Sequence, residues 1–105
     1  MFNRLACVLS VLIVFLIFTA SVFAQPFAYV ANNGSNNVSV IDTATNMVVG
    51  LPIPVGSLPN DVAITPDGAR AYVANFNSNN VSVISTRTNM VIATIPVGDE
   101  PFAVA

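Results

Sequence analysis

The sequence contains no histidine, no lysine and no tryptophan, and it has a single cysteine, Cys7. Without histidine it lacks the side chain that most often serves as a general base near neutral pH and most often binds transition metals. Cys7 lies in the apolar N-terminal segment, so residues 25–105 hold no thiol. That excludes a disulfide, a thiolate metal site and a cysteine nucleophile there. Charge is scarce too, at 8% of residues. Over 25–105, Arg70 and Arg87 stand against Asp42, Asp61, Asp67, Asp99 and Glu100, a formal balance of −3. This is no footprint for a phosphate backbone, so nucleic acid is not expected as a partner. Beyond the N-terminal segment no stretch shows a helical period of apolar residues.

What is present begins with "MFNRLACVLSVLIVFLIFTASVFA". Arg4 is a positive start, Leu5 to Phe18 is almost unbroken apolar sequence, and Val22 and Ala24 form a small-residue cleavage site ahead of Gln25-Pro26. This is the pattern of a secretory signal peptide over residues 1–24, expected as an N-terminal helix. Cleavage after Ala24 would leave a secreted, periplasmic or cell-surface chain with no membrane association. The alternative is an uncleaved anchor, since Leu5 to Phe23 is long enough to span a bilayer. Cys7 precedes the apolar stretch instead of ending it, which excludes a lipoprotein signal.

The remainder repeats itself. "YVANNGSNNVSVIDTATNM" from Tyr29 returns as "YVANFNSNNVSVISTRTNM" from Tyr72. Ala28–Gly50 and Ala71–Ala93 share 17 identities in 23 positions at an offset of 43. "IPVG" at Ile53–Gly56 returns at Ile95–Gly98, an offset of 42, and Pro59, Val62 and Ala63 match Pro101, Val104 and Ala105. Each unit reads as short strands separated by turn residues. Strands are expected near 27–31, 37–42, 46–54, 61–65, 69–75, 80–85 and 90–97. "TPDG" at Thr65–Gly68 is a tight turn, and the asparagines of "NNGSNN" and "NFNSNN" suit the left-handed backbone of polar loops. Four short strands in about 40 residues, repeated, specify an all-β fold of β-propeller blades. The strand "VSVIS" is apolar on both faces, as a sheet sandwiched between neighbours requires. A β-sandwich or a solenoid is the rival architecture.

The unit "PNDVAITPDGARAYVAN…NNVSVI…TNMVIATIPVG" resembles the YVTN-type β-propeller repeat. The naming tetrad stands here as "YVAN" at Tyr29–Asn32 and Tyr72–Asn75, with alanine in place of threonine. The resemblance covers residues 27–105 and implies four-stranded antiparallel blades in an exported protein of bacteria or archaea. On this reading the region 25–105 holds a partial blade (27–55), a full blade (61–97) and the start of another (101–105), an incomplete propeller. Propellers close with about 4 to 8 blades. The expectation is therefore the leading part of a longer product; the alternative is several copies that assemble into a ring. In either case valines such as Val38, Val40, Val81 and Val83, or their opposite-face partners, need covering.

Candidate chemistry is sparse. Asp67 fits the Asp position of its turn. Asp99-Glu100 is the only paired carboxylate; it lies between a fourth strand and the next first strand, and its counterpart in the earlier copy is Ser57-Leu58, so it is not part of the repeat. The loop residues Asn75, Phe76 and Asn77 are expected on the same end of the blades as Asp99 and Glu100. Together these five are the candidate ligand-face residues, suited to a protein or carbohydrate partner. No catalytic, metal or cofactor-binding residue is expected. The sequence reads as a non-catalytic binding or surface module, joined by further blades or by self-association. The resemblance allows a second reading, the N-terminal part of a lactonase-like or redox propeller enzyme whose catalytic residues lie beyond Ala105.

The export reading has a direct check. Mass spectrometry of the protein from an expressing cell should find an N-terminus at Gln25. Recovery of residues 1–24 intact in the membrane fraction would establish the anchor instead.

Overall fold

The computed structural model describes residues 26–105 and contains no helix among them. The expected signal helix, the cleavage site and Cys7 lie outside the described residues. Two antiparallel sheets account for the rest. The first comprises β1 (Phe27–Asn32), β2 (Asn37–Asp42), β3 (Met47–Val48) and β4 (Ile53–Pro54), with β3 and β4 both paired to β2. The second is the regular order β5 (Pro59–Ile64), β6 (Arg70–Asn75), β7 (Asn80–Ser85) and β8 (Met90–Pro96). These are the expected blades, the first lacking an inner strand among the described residues.

The turns bear out the loop reading. Asn36 and Asn79, and likewise Asn46 and Asn89, occupy equivalent places in the two copies and all have φ between 55° and 58°. Asparagine enters this region at lower cost than other residues bearing a Cβ. Each of these bends lets one strand return antiparallel to the last, as β1 does on β2 with Tyr29 opposite Val40 and Ala31 opposite Val38.

One expected strand, 46–54, is broken. Val48 pairs with Ile41 and Ile53 with Val38, so four residues on the outer strand face two on β2. In the second sheet Val91 pairs with Ile84 and Ile95 with Val81, so the excess is a single residue and β8 stays continuous across a bulge. The extra residue in the first copy is where the repeat offset slips from 43 to 42. Gly50, at φ 67°, and Pro52, which has no N–H to offer a ladder, accommodate it and interrupt the strand. The inner strand starts at Pro59, ahead of the expected 61, because Pro59 pairs with Asn75 across a bulge at Asn60. Residues 101–105, expected to start a further blade, form no strand here, although the Val104 N–H donates to Asp61 Oδ2 at 3.0 Å.

The core is the seam between the sheets. Val38, Val40 and Ile53 from the first meet Ala71, Val73 and Ile84 from the second, with Tyr29, Val55 and Val62 around them. Burying side chains of this size is worth about 1.5–3 kcal/mol each. Val38 and Val40 thus lie on the covered side of their blade, and its other side carries the partly exposed Val30.

Two polar details lock the seam. Tyr29 donates its hydroxyl hydrogen across it to Asn89 Oδ1, and burial pushes the phenol's pKa up. Gly56 lies against Asn75 so closely that a Cβ there would sit 2.7 Å from Asn75 Cγ. Asn75 is fully buried and cannot swing away. Gly56→Ala is therefore expected to destabilise the chain by about 1–3 kcal/mol through overpacking. Tyr29→Phe should cost about 0.5–1.5 kcal/mol for one lost hydrogen bond. Denaturant unfolding of both variants beside the parent checks this, and a Gly56→Ala protein as stable as the parent would show that the seam is loose.

Candidate functional site

Antiparallel alternation sends the β1–β2 and β6–β7 loops, and the segments that leave the outer strands, to one end of the blades. Backbone hydrogen bonds bind these segments together. Phe76 N–H donates to Leu58 O at 3.0 Å, Asn77 N–H to Ser57 O at 3.1 Å, and Val55 N–H to Asn36 O at 3.1 Å. The loop asparagines add side-chain acceptors: Asn36 Oδ1 takes the Leu58 N–H and Asn79 Oδ1 takes the Glu100 N–H, both at 3.0 Å.

The five residues singled out by sequence fall into two groups. Asn75 ends β6, beneath the surface. Its Nδ2 donates to Asn80 Oδ1 at 2.8 Å and to Ser82 Oγ at 2.9 Å, and its Oδ1 is buried with no partner among the described residues. The same triad stands in the first sheet, where Asn32 Nδ2 donates to Asn37 Oδ1 and Ser39 Oγ, both at 2.8 Å. Asn75 is thus a structural residue that ties β6 to β7, and it offers a ligand no accessible atom. The spacing N-x4-N-x-S, present in both copies, was the signal for this triad.

The other four share the surface. Asn77, Asp99 and Glu100 are exposed and Phe76 is half-buried. Phe76 meets the ring of Phe102 edge to face, with centroids 6.4 Å apart and planes at 80°. That contact joins the β6–β7 loop to the segment after β8, as a pair worth about 0.5–1.5 kcal/mol beyond its buried area. Phe102 is 72% exposed. It went unnoticed in the sequence because its counterpart in the earlier copy is the polar Asn60. Glu100 has φ 55°, but Leu58, at the same place in the repeat, has φ 52°. The left-handed backbone therefore belongs to the architecture and does not mark the acidic pair as special.

Asp67 sits in the β5–β6 turn. Its Oδ1 accepts from Thr65 Oγ1 at 2.6 Å and from Ala69 N–H at 3.0 Å, while Gly68 supplies φ 72°. The bond from Thr65, then that from Ala69, holds the carboxyl pKa below its ordinary 3.8. This is the turn role expected of it. A cleft of about 320 Å³ between the outer parts of the sheets touches Gly56, Asn80, Ser82 and Thr94. Its amide and hydroxyl at Asn80 and Ser82 already serve Asn75.

No protein-family model matches the chain, and no curated protein matches it. Solved structures do. Hydrazine synthase of Kuenenia stuttgartiensis superposes with a TM-score of 0.72 and 35% identity, over 74% of this chain and 22% of that one. A functionally unknown protein from Desulfotomaculum acetoxidans gives 0.68 and 20%, over 76% of this chain and 27% of that one. Apo AztD from Citrobacter koseri gives 0.63 and 18%, over 74% and 23%. The last two likenesses show fold alone. All three are β-propellers, which establishes the two sheets as propeller blades. The chain spans about a quarter of the length of each of these proteins.

The Asp67 turn sets a pH dependence of known sign. A carboxyl whose folded pKa is depressed stabilises the fold above the unfolded value, near 3.8, and loses that contribution as pH falls through the lower folded value. NMR titration of the Asp67 carboxyl should show a midpoint below 3.8, and Asp67→Asn should flatten the acid limb of the stability curve. A midpoint at or above 3.8 would remove the carboxylate from the turn's stability.

Proposed function

We propose that this chain is part of an exported YVTN-type β-propeller that acts as a non-catalytic binding or surface module. One observation carries the reading. At the loop end, the side chains that differ between the two copies (Phe76, Asn77, Asp99, Glu100 and Phe102) gather on an accessible surface, while the repeated polar residues beneath are consumed in holding blades together. An exposed aromatic ring beside an amide and two carboxylates is suited to a peptide or a sugar. The repeat motifs support the family assignment, and the N-terminal apolar segment supports export to the periplasm, the cell surface or the medium.

A second reading has one observation behind it. The 35% identity is to a segment of hydrazine synthase, whose name denotes an enzyme. On that reading these blades are the scaffold of a propeller enzyme, and its reacting groups lie outside 25–105, where the sequence has no histidine or cysteine to supply them.

Assays of the 105-residue product on lactone, ester and phosphate substrates test the first reading. No turnover is expected. Turnover that disappears in Asp99→Ala or Glu100→Ala would overturn the binding-module reading and place a catalytic carboxylate at the loop end.

A further inference from the structure

Duplication gives each turn position a counterpart, and it accounts for most of the asparagines. Asn36 and Asn79, like Asn46 and Asn89, take the left-handed turns. Asn32 with Asn37, and Asn75 with Asn80, form the two triads. Asn33 and Gly34 belong to neither set. They lie in the β1–β2 loop, and their counterparts in the second copy are Phe76 and Asn77. Theirs is the single Asn-Gly step in the sequence.

Nothing in the architecture calls for glycine at 34. Its φ is not in the left-handed region, and a Cβ there would have nothing within 4 Å. Asn77 carries a full side chain at the same place in the repeat. The glycine therefore leaves one chemical consequence, a backbone nitrogen with no Cβ beside it, following an asparagine amide. Asn33 and Gly34 are both exposed. A neighbouring blade does not cover this position, because Asn77 stays exposed although the first blade packs against the second. Among the described residues one side-chain bond holds the Asn33 amide, from Nδ2 to Oδ1 of the exposed Asn60.

We propose that Asn33-Gly34 is a self-modification site, at which the chain deamidates without an enzyme. The Gly34 nitrogen attacks Asn33 Cγ, an intramolecular acyl substitution favoured by the proximity of the two atoms. The new C–N bond closes a succinimide ring as the Cγ–Nδ2 bond breaks. The displaced amide leaves as ammonia, taking the proton that the Gly34 nitrogen gives up. Water then opens the ring. Opening at the side-chain carbonyl yields aspartate at position 33; opening at the main-chain carbonyl yields isoaspartate, with the backbone routed through Cγ. In sum one amide and one water become one carboxylic acid and one ammonia, with no change of oxidation state. The acid ionises at neutral pH, so the loop end that carries Asp99 and Glu100 gains a further negative charge. Every other asparagine precedes a residue with a Cβ, which crowds the ring closure. The inference is independent of what the loop end binds.

Incubation of the chain, as its host cell processes it, at mildly alkaline pH tests the proposal. Site-resolved mass spectrometry should find the amide at position 33 replaced by a carboxyl about tenfold or more faster than at Asn77, which precedes Ser78. The product should contain both aspartate and isoaspartate. Gly34→Ala should slow conversion at 33 about tenfold or more. The added methyl enters open space, so the fold is retained, as circular dichroism can verify. The first two readouts are taken on the parent chain and stand whatever the variant does. An Asn33 that stays intact, or converts no faster than Asn77, would overturn the proposal. So would a product that is aspartate alone, the mark of direct amide hydrolysis without a ring, or a rate at 33 that a folded Gly34→Ala protein leaves unchanged.

Discussion

Everything in this fold depends on the seam where Val38, Val40 and Ile53 meet Ala71, Val73 and Ile84. A four-stranded sheet is too thin to have an interior of its own. Its apolar side chains are buried only when a second sheet is laid across them. That constraint explains the composition of the strands. β2 and β7 both read "NVSVI", apolar on alternate positions of one side and part of the other, because each must serve two neighbours. It also explains the small residues: alanine at 71 and glycine at 56 let the sheets come close enough for Asn75 to be sealed between them.

The seam makes an unusual demand on polar groups. Asn75 is placed where water cannot reach, and burying an amide without partners costs about 1–3 kcal/mol on mutational scales. Asn80 and Ser82 meet the two donors of Nδ2 and so tie together the strands that flank the loop, while Oδ1 stays unpaired among the described residues. Because the partners are five and seven residues away, the tie also fixes where the β6–β7 loop begins and ends. Two positions of its tip, Phe76 and Asn77, can then vary without loosening the blade.

Most of this was legible in the sequence, for definite reasons. Strand positions followed from the repeat and from the turn residues: asparagine at 36, 46, 79 and 89 marks where the chain must turn left-handed, and Pro-Asp-Gly at 66–68 marks the β5–β6 turn. The slip in offset announced an extra residue between Gly50 and Ile53. That the strand would break there, and not bulge as β8 does, was illegible, because it depends on how many residues of β2 lie opposite. Which side of each blade enters the seam was equally hidden, since "VSVI" is apolar on both. Asn75 was misplaced as a loop residue because an asparagine at a strand end looks the same whether it faces solvent or a neighbouring sheet.

The pattern of difference between the two copies follows from the same constraint. The copies depart from each other at 33/76 and 34/77 in the loop tips, at 42/85 and 44/87 around the opposite turns, and at 49/92 and 50/93 on the outer strands. None of the seam residues Tyr29, Val38, Val40, Ile53, Ala71, Val73 and Ile84 differs from its counterpart in the other copy. A side chain that packs against another blade is answerable to two surfaces at once, and any change of volume there is felt on both. An exposed side chain at a loop tip, or at 49/92 and 50/93 on the outer strands, answers to none. Duplication therefore leaves the faces interchangeable and the ends free, and in a protein built this way individuality collects where Phe76, Asn77, Asp99 and Glu100 stand.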